Sequence, residues 1–188
     1  MSSSKTATGP RPTLREIDTL LERQYGPMQW EPRYDPISEL VFTILSQHTS
    51  DVNTSKAFSI LCDTFRSWGE VAEADPKDIA QAIRIGGLSN SKAPRIKAVL
   101  QRIHQLRGKF TLEFLKDMPL DKAKTWLRQL PGVGPKTAAV VLCFALGMPA
   151  FPVDTHIYRV AKRLALIGPK ISVDRAHDIL EQAILPDR

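Results

Sequence analysis

Two residues in this chain have the type and the setting for bond-breaking chemistry, Lys136 and Asp154. Lys136 ends the string Leu130-Pro131-Gly132-Val133-Gly134-Pro135-Lys136 and leads through Thr137 into an apolar run. A lysine amine that has lost its proton is a nucleophile able to form a Schiff base. The start of an apolar helix favours that loss, through desolvation and the positive end of the helix. The same position suits a solvated lysine or a phosphate contact. Asp154 lies in Val153-Asp154-Thr155-His156. Its carboxylate can stabilise positive charge developing on a sugar, as in glycosidases, or move protons. It equally suits the N-cap of the helix that follows.

The glycines before Lys136 add a second function. Gly132 and Gly134 flank one residue between the end of one helix and the start of the next. Glycine tolerates positive φ and close backbone approach, and the new helix offers unpaired N–H groups. Together these form a site for one phosphate; taken alone, Gly-Val-Gly also fits a tight turn between packed helices. The net charge of +6 agrees with a polyanionic partner, and on its own is weak evidence for one.

The elements that must position these groups are helical, because apolar residues recur at three- and four-residue spacing with little strand-like alternation. Asp35-Pro36 predicts an N-cap with proline at the first helical position, followed by an apolar stripe of Ile37, Leu40, Val41, Ile44 and Leu45. A second helix follows Thr49-Ser50-Asp51 and runs to about Phe65, with Asp51 able to cap it. Asp75-Pro76 opens a short helix ending near Gly86-Gly87. Ser89-Asn90 caps a longer one reaching about Arg107, and another short helix precedes Leu130. The stretch from Pro135 to Leu146, apolar nearly all round, predicts a central buried helix. Asp154 opens a helix stopping at Gly168-Pro169, and a last helix spans about Val173 to Ile184. The expected fold class is all-α, about ten helices with short connections, with the best internal break at Gly147-Met148-Pro149 and Phe151-Pro152.

The sequence holds no run of eighteen apolar residues, so no transmembrane helix is expected, and the lead-in Met1-Ser2-Ser3-Ser4-Lys5 has no hydrophobic signal core. We expect a cytoplasmic, nucleoid-associated protein. Cys62 and Cys143 stand in separate apolar stretches and are expected to be buried, inert thiols.

Four strings together resemble one family. Leu130 to Thr137 resembles the helix-hairpin-helix of the DNA glycosylase superfamily. Ile44-Leu45-Ser46-Gln47-His48-Thr49-Ser50-Asp51-Val52, Gly87-Leu88-Ser89-Asn90-Ser91-Lys92-Ala93 and Val153-Asp154-Thr155-His156-Ile157-Tyr158-Arg159-Val160 resemble endonuclease III blocks, in the family's order and at similar spacing. The resemblance implies two helical domains. A six-helix barrel spans 35–147; the second domain joins 13–34 to 148–188, after a disordered lead-in at 1–12. It implies a bifunctional DNA glycosylase and AP lyase of base excision repair. Such an enzyme removes oxidised pyrimidines and cleaves the abasic site by β-elimination through a lysine Schiff base.

By the same resemblance Lys136 is the catalytic lysine, since bifunctional members carry lysine there, and Asp154 the essential aspartate. Leu88 matches the residue that wedges the duplex when the base leaves the stack. Gln47 or His48 fills the gap: strict spacing favours His48, while some relatives carry glutamine earlier in the string. Gly132, Val133, Gly134, Thr137, Asn90, Ser91, Lys92 and His156 are the other expected DNA contacts. Asn90, Ser91 and Lys92 resemble a phosphate-facing helix start, with helix capping as the alternative. His156 can orient local backbone and Arg159 can pair with a carboxylate or phosphate. Pro135 stands where many relatives have a basic residue, which would remove one phosphate contact.

The implied partner is double-stranded DNA with a damaged base or abasic site, bound by a monomer. No metal is required, although hairpin carbonyls could hold a monovalent cation. Typical endonuclease III proteins carry four cysteines near the C-terminus that bind a [4Fe–4S] cluster. This chain is expected to hold no cofactor; a cluster would belong only to a parent protein continuing beyond Arg188. A glycosylase for alkylated or mismatched bases, a non-catalytic helix-hairpin-helix module that only binds DNA, and an inactive fragment remain alternatives.

Overall fold

The computed structural model describes residues 12–183, and all its regular elements are helical. Apart from Pro12, the expected lead-in lies outside the described residues, as does Ile184. The chain divides into two compact units, one formed by 30–152 and the other by 1–29 with 153–188. The sequence had placed the corresponding boundaries at 35 and 147.

The 30–152 unit is built around α2 (Pro36–Ser46). Asp35 caps it, its carboxylate accepting from the Ile37 and Ser38 N–H groups at 3.0 and 3.1 Å, and Pro36 takes the first turn, where a missing N–H costs nothing. Every residue from Pro36 to Leu45 is buried. The expected apolar stripe is therefore only part of the picture: the polar face, with Ser38, Glu39 and Thr43, is covered as well. Glu39 can lie there because Arg33 pairs with it. Helix α2 packs against α3 (Asp51–Thr64), α6 (Ser89–Arg107) and α8 (Pro135–Val140); α4 (Trp68–Glu73) and α5 (Pro76–Ala82) pack on α6, and α7 (Leu120–Leu127) on α8. Fully buried Leu40, Ile44, Leu61, Ile96, Leu100 and Leu142 fill the core, each contributing about 1.5–3 kcal/mol of transfer free energy.

The Pro135–Leu146 stretch is not buried all round as its composition predicted. It forms α8 and then a π-helical turn, Val141–Ala145. Ala138, Ala139, Val141 and Leu142 face the core, while Phe144 is 49% exposed. The Trp30 indole N–H donates to the Cys143 carbonyl at 3.0 Å, occupying an acceptor of this turn.

The second unit contains α1 (Leu14–Tyr25), α9 (Thr155–Arg163) and α10 (Val173–Ala183). Thr13 and Glu16 form a capping box on α1. Helix α9 ends at Arg163, five residues before the expected Gly168, because the chain turns at Ala165 with φ +55°. Val153, Ala161, Ile167, Ala176 and Leu180 are buried in this unit. The cysteines also depart from expectation: Cys62 is exposed and Cys143 half-buried. Burial nevertheless raises both thiol pKa values, and for Cys62 the Asp63 and Asp35 charges add to the rise.

Candidate functional site

The hairpin joins α7 to α8. It turns tightly at Leu130, whose carbonyl accepts from the Val133 N–H at 3.1 Å. Gly132 sits at φ +73°, and a Cβ there would stand 2.9 Å from the Arg95 Nε. The dihedral favours glycine, and a side chain here would also push the Arg95 guanidinium aside. Val133 and Thr137 are buried, so their side chains hold the turn to the core and only main chain is offered at Val133. Gly134 is the N-cap of α8 and Pro135 its first residue.

Lys136 follows, exposed, on the wall of an open cavity of about 310 Å³ within the 30–152 unit. Phe42, Val140 and Phe144 give the cavity apolar surface, and Asp51 and Arg33 give it charge. The π-helical turn explains why Phe144 faces this space instead of the core.

The two loops singled out by sequence share a backbone peculiarity. His48 has φ +54° and Leu88 φ +51°, the left-handed region that non-glycine residues uncommonly enter, asparagine, aspartate and histidine more often than leucine. Both side chains are exposed, Leu88 by 58%. Gln47 is half-buried and its Oε1 accepts from the Arg95 guanidinium at 2.6 Å. Of the two gap-filling candidates, Gln47 is therefore tethered and His48 stands outward. Arg95, which sequence reasoning missed, touches both the glutamine and the hairpin glycine.

Lys92 does not face a phosphate as expected. It is 3% exposed, and its ammonium donates to the Leu45 carbonyl at 2.7 Å, to Thr49 Oγ1 at 2.6 Å and to the Gly86 carbonyl at 2.9 Å. Leu45 lies in the last turn of α2, whose carbonyls lack helical partners, so Lys92 caps that helix from another. The Thr49 hydroxyl donates in turn to the Gly86 carbonyl. One buried amine thus ties the 47–50 loop to the 86–88 loop. Burial lowers its pKa below the ordinary lysine value.

The expected caps also shift. Ser50, not Asp51, caps α3, and Asp51 occupies the first turn. The N-cap of α6 is the left-handed Leu88, without a side-chain bond; Ser91 Oγ donates back to the Leu88 carbonyl at 2.9 Å, and Asn90 is exposed.

Asp154 belongs to the other unit. It is half-buried and caps α9, accepting from the His156 and Ile157 N–H groups at 2.9 and 2.7 Å. Val153 before it is buried, and its N–H donates to His177 Nδ1 at 3.3 Å, which anchors the approach to the carboxylate. His156 is exposed, with Nδ1 2.9 Å from Arg159 Nη2. The capping bonds use one carboxylate oxygen, Oδ1, leaving Oδ2 without a capping bond.

The family's four-thiolate cluster does not fit the residues present. The chain has two cysteines where four thiolates are needed. Among the described residues no group of three His, Cys, Asp or Glu side chains could hold a metal.

The HhH-GPD superfamily of base excision DNA repair proteins matches residues 41–186. An Arabidopsis thaliana protein provisionally named a DNA glycosylase is 44% identical over 148 residues, covering 79% of this chain and 50% of that protein. Endonuclease III of Thermotoga maritima is 36% identical over 133 residues, covering 71% of this chain and 58% of that enzyme. The chain thus spans about half the length of these curated relatives. A solved endonuclease III–DNA complex superimposes with a TM-score of 0.75 at 28% identity, covering 91% of this chain and 76% of that one. With hairpin, exposed lysine and helix-capping aspartate in place and the family match extending over most of its length, this chain belongs to the HhH-GPD superfamily of base excision DNA repair proteins.

Proposed function

We propose that this chain acts on damaged double-stranded DNA as a bifunctional glycosylase and AP lyase, removing oxidised pyrimidines and then cutting the strand. The observation that carries the reading is the exposed Lys136 on the wall of an open, partly aromatic cavity of about 310 Å³, directly after the Gly132–Gly134 turn. A DNA-binding module needs no amine in such a cavity. The likeness to endonuclease III supports the substrate class.

In this reading the neutral Lys136 amine attacks the sugar C1′ and the base leaves with the glycosidic electron pair, taking up a proton. The sugar ring opens to an iminium on Nζ. Loss of a C2′ proton then expels the 3′ phosphate by β-elimination, and water releases the amine. Asp154 stabilises the positive charge that builds on the sugar and accepts or returns the protons. His48 and Leu88 enter the space left in the stack, and the Gly132 and Gly134 main chain meets a backbone phosphate.

Borohydride trapping tests this directly. The wild-type chain should form a covalent adduct with an abasic duplex and with a thymine-glycol duplex, and Lys136→Ala should form neither. Absence of an adduct with the wild type on the abasic duplex refutes the lyase reading; trapping by Lys136→Ala refutes Lys136 as the nucleophile.

A further inference from the structure

The cavity beside Lys136 contains an ion pair that the chemistry above does not use. Glu39 lies on the central helix α2 with its side chain fully covered, and Arg33 grips it with two bonds, Nη2 to Oε1 at 2.7 Å and Nε to Oε2 at 3.3 Å. The Arg33 guanidinium also stacks on the Phe42 ring, its Cζ 4.1 Å from the ring centroid, and lies 5.1 Å from that of Tyr34. Yet the Arg33 side chain is 53% exposed and lines the cavity. An arginine held on a carboxylate and an aromatic face has little rotamer freedom left.

The pair is a weak source of net stability. Two well-packed apolar residues hold a core as well as a buried carboxylate with its partner, because desolvation offsets the attraction. What the pair accomplishes is to fix a planar cation, with donors to spare, at the edge of a cavity. A guanidinium has five N–H donors, and two are spent on Glu39. Arg33 lines the cavity together with Glu31 and Asp51, whose carboxylates can only accept while ionised, and with Phe144, which supplies an apolar wall. Donor, acceptor and flat apolar surface match a ring carrying carbonyl oxygen beside N–H, the imide or ureide edge of a pyrimidine whose ring has lost its aromatic double bond.

We propose that Arg33, fixed by Glu39 and Phe42, donates to a carbonyl oxygen of the extruded base and makes this cavity selective for carbonyl-bearing pyrimidines. The inference rests on the glycosylase reading and assigns its substrate-reading residue. Arg33 is a binding residue; it takes no part in strand cleavage once the base has gone.

The test separates the two steps. Arg33→Ala alone would strand a buried carboxylate and confuse folding with recognition. The variants are therefore Arg33→Lys, which keeps the charge and loses the fork, and the double variant Arg33→Gln with Glu39→Gln, which replaces the ion pair by two neutral amides. Single-turnover excision of 5,6-dihydrouracil is compared with cleavage of a duplex carrying a pre-formed abasic site. Both variants should lose at least about tenfold in excision relative to cleavage, the loss expected for one hydrogen bond made to the substrate. An unchanged ratio overturns the proposal, as does an equal fall in both activities. A wild type that cuts abasic duplexes but excises 1,N6-ethenoadenine, which has no carbonyl, faster than dihydrouracil also overturns it while leaving the lyase reading intact. A wild type that forms no adduct on the abasic duplex removes the reading beneath it.

Discussion

Lys92→Met would remove the amine that joins the two loops while keeping a flexible chain of similar length. Three bonds disappear, to Leu45, Thr49 and Gly86. Hydrogen bonds from a charged donor are worth about 1.5–3 kcal/mol each. Against them stands the cost of burying the ammonium, which the lowered pKa makes visible. The Gly86 carbonyl keeps the Thr49 hydroxyl as a donor, so the main uncompensated acceptor is the Leu45 carbonyl. Leaving one such group unpaired costs about 1–3 kcal/mol, and the net destabilisation should be about 2–3 kcal/mol. Urea unfolding of the full chain should show a lower midpoint with an unchanged slope, and a melting temperature about 5–10 °C lower. The pH dependence adds a check. Because the folded pKa lies below the ordinary 10.5, the unfolded chain binds more protons between those two values. Wild-type stability should therefore gain relative to the variant as pH rises through that window. A midpoint shift worth less than about 0.5 kcal/mol, with no difference in pH slope, would mean that desolvation cancels the three bonds and that Lys92 is no brace.

Asp154→Asn should retain the α9 cap, since asparagine caps about as well as aspartate, yet lose at least about a hundredfold in excision; Asp154→Ala should lose activity and about 1 kcal/mol of stability besides. Full activity in the asparagine variant would reduce Asp154 to a helix cap. Gly132→Ala forces φ +73° on a side-chain residue and drives its Cβ into Arg95, so it should cost about 1–2 kcal/mol in urea and weaken duplex binding in a fluorescence titration. No change in either would show that the hairpin relaxes freely. Cys62, exposed but with its thiol pKa raised by burial and by Asp63 and Asp35, should react with iodoacetamide at a rate that climbs with pH beyond 9.0; mass spectrometry showing a plateau at lower pH would contradict that electrostatic picture.

The elements that sequence made legible are those whose signals are local. Asp35-Pro36 and Asp75-Pro76 start helices because a carboxylate caps its own next turn and proline fits the first position. The Leu130–Lys136 string is equally self-contained. The helix start at Leu88 was hidden, because Ser89 looked like the cap while the chain uses a left-handed leucine. The end of α9 was hidden for the same reason at Ala165. Lys92 was misread through its charge; yet it shares the stripe of Ile96 and Val99, at four- and seven-residue spacing, which already points it inward. Arg33–Glu39 and Arg95–Gln47 could not be read, since nothing in either pair's local pattern requires the partner.

The way the units divide the chain bears on how the protein is made. The unit containing α1 is discontinuous: 1–29 needs 153–188 to complete it, and the whole of 30–152 lies between. At ribosomal speed that interval lasts on the order of ten seconds. During it, α1 has emerged with Leu20, Leu21 and Tyr25 on a helix that buries no residue even in the finished fold. The 30–152 unit, whose core is drawn from one uninterrupted stretch, can close in that time. The order of synthesis thus lets the unit that carries Lys136 close before the unit that carries Asp154 is complete.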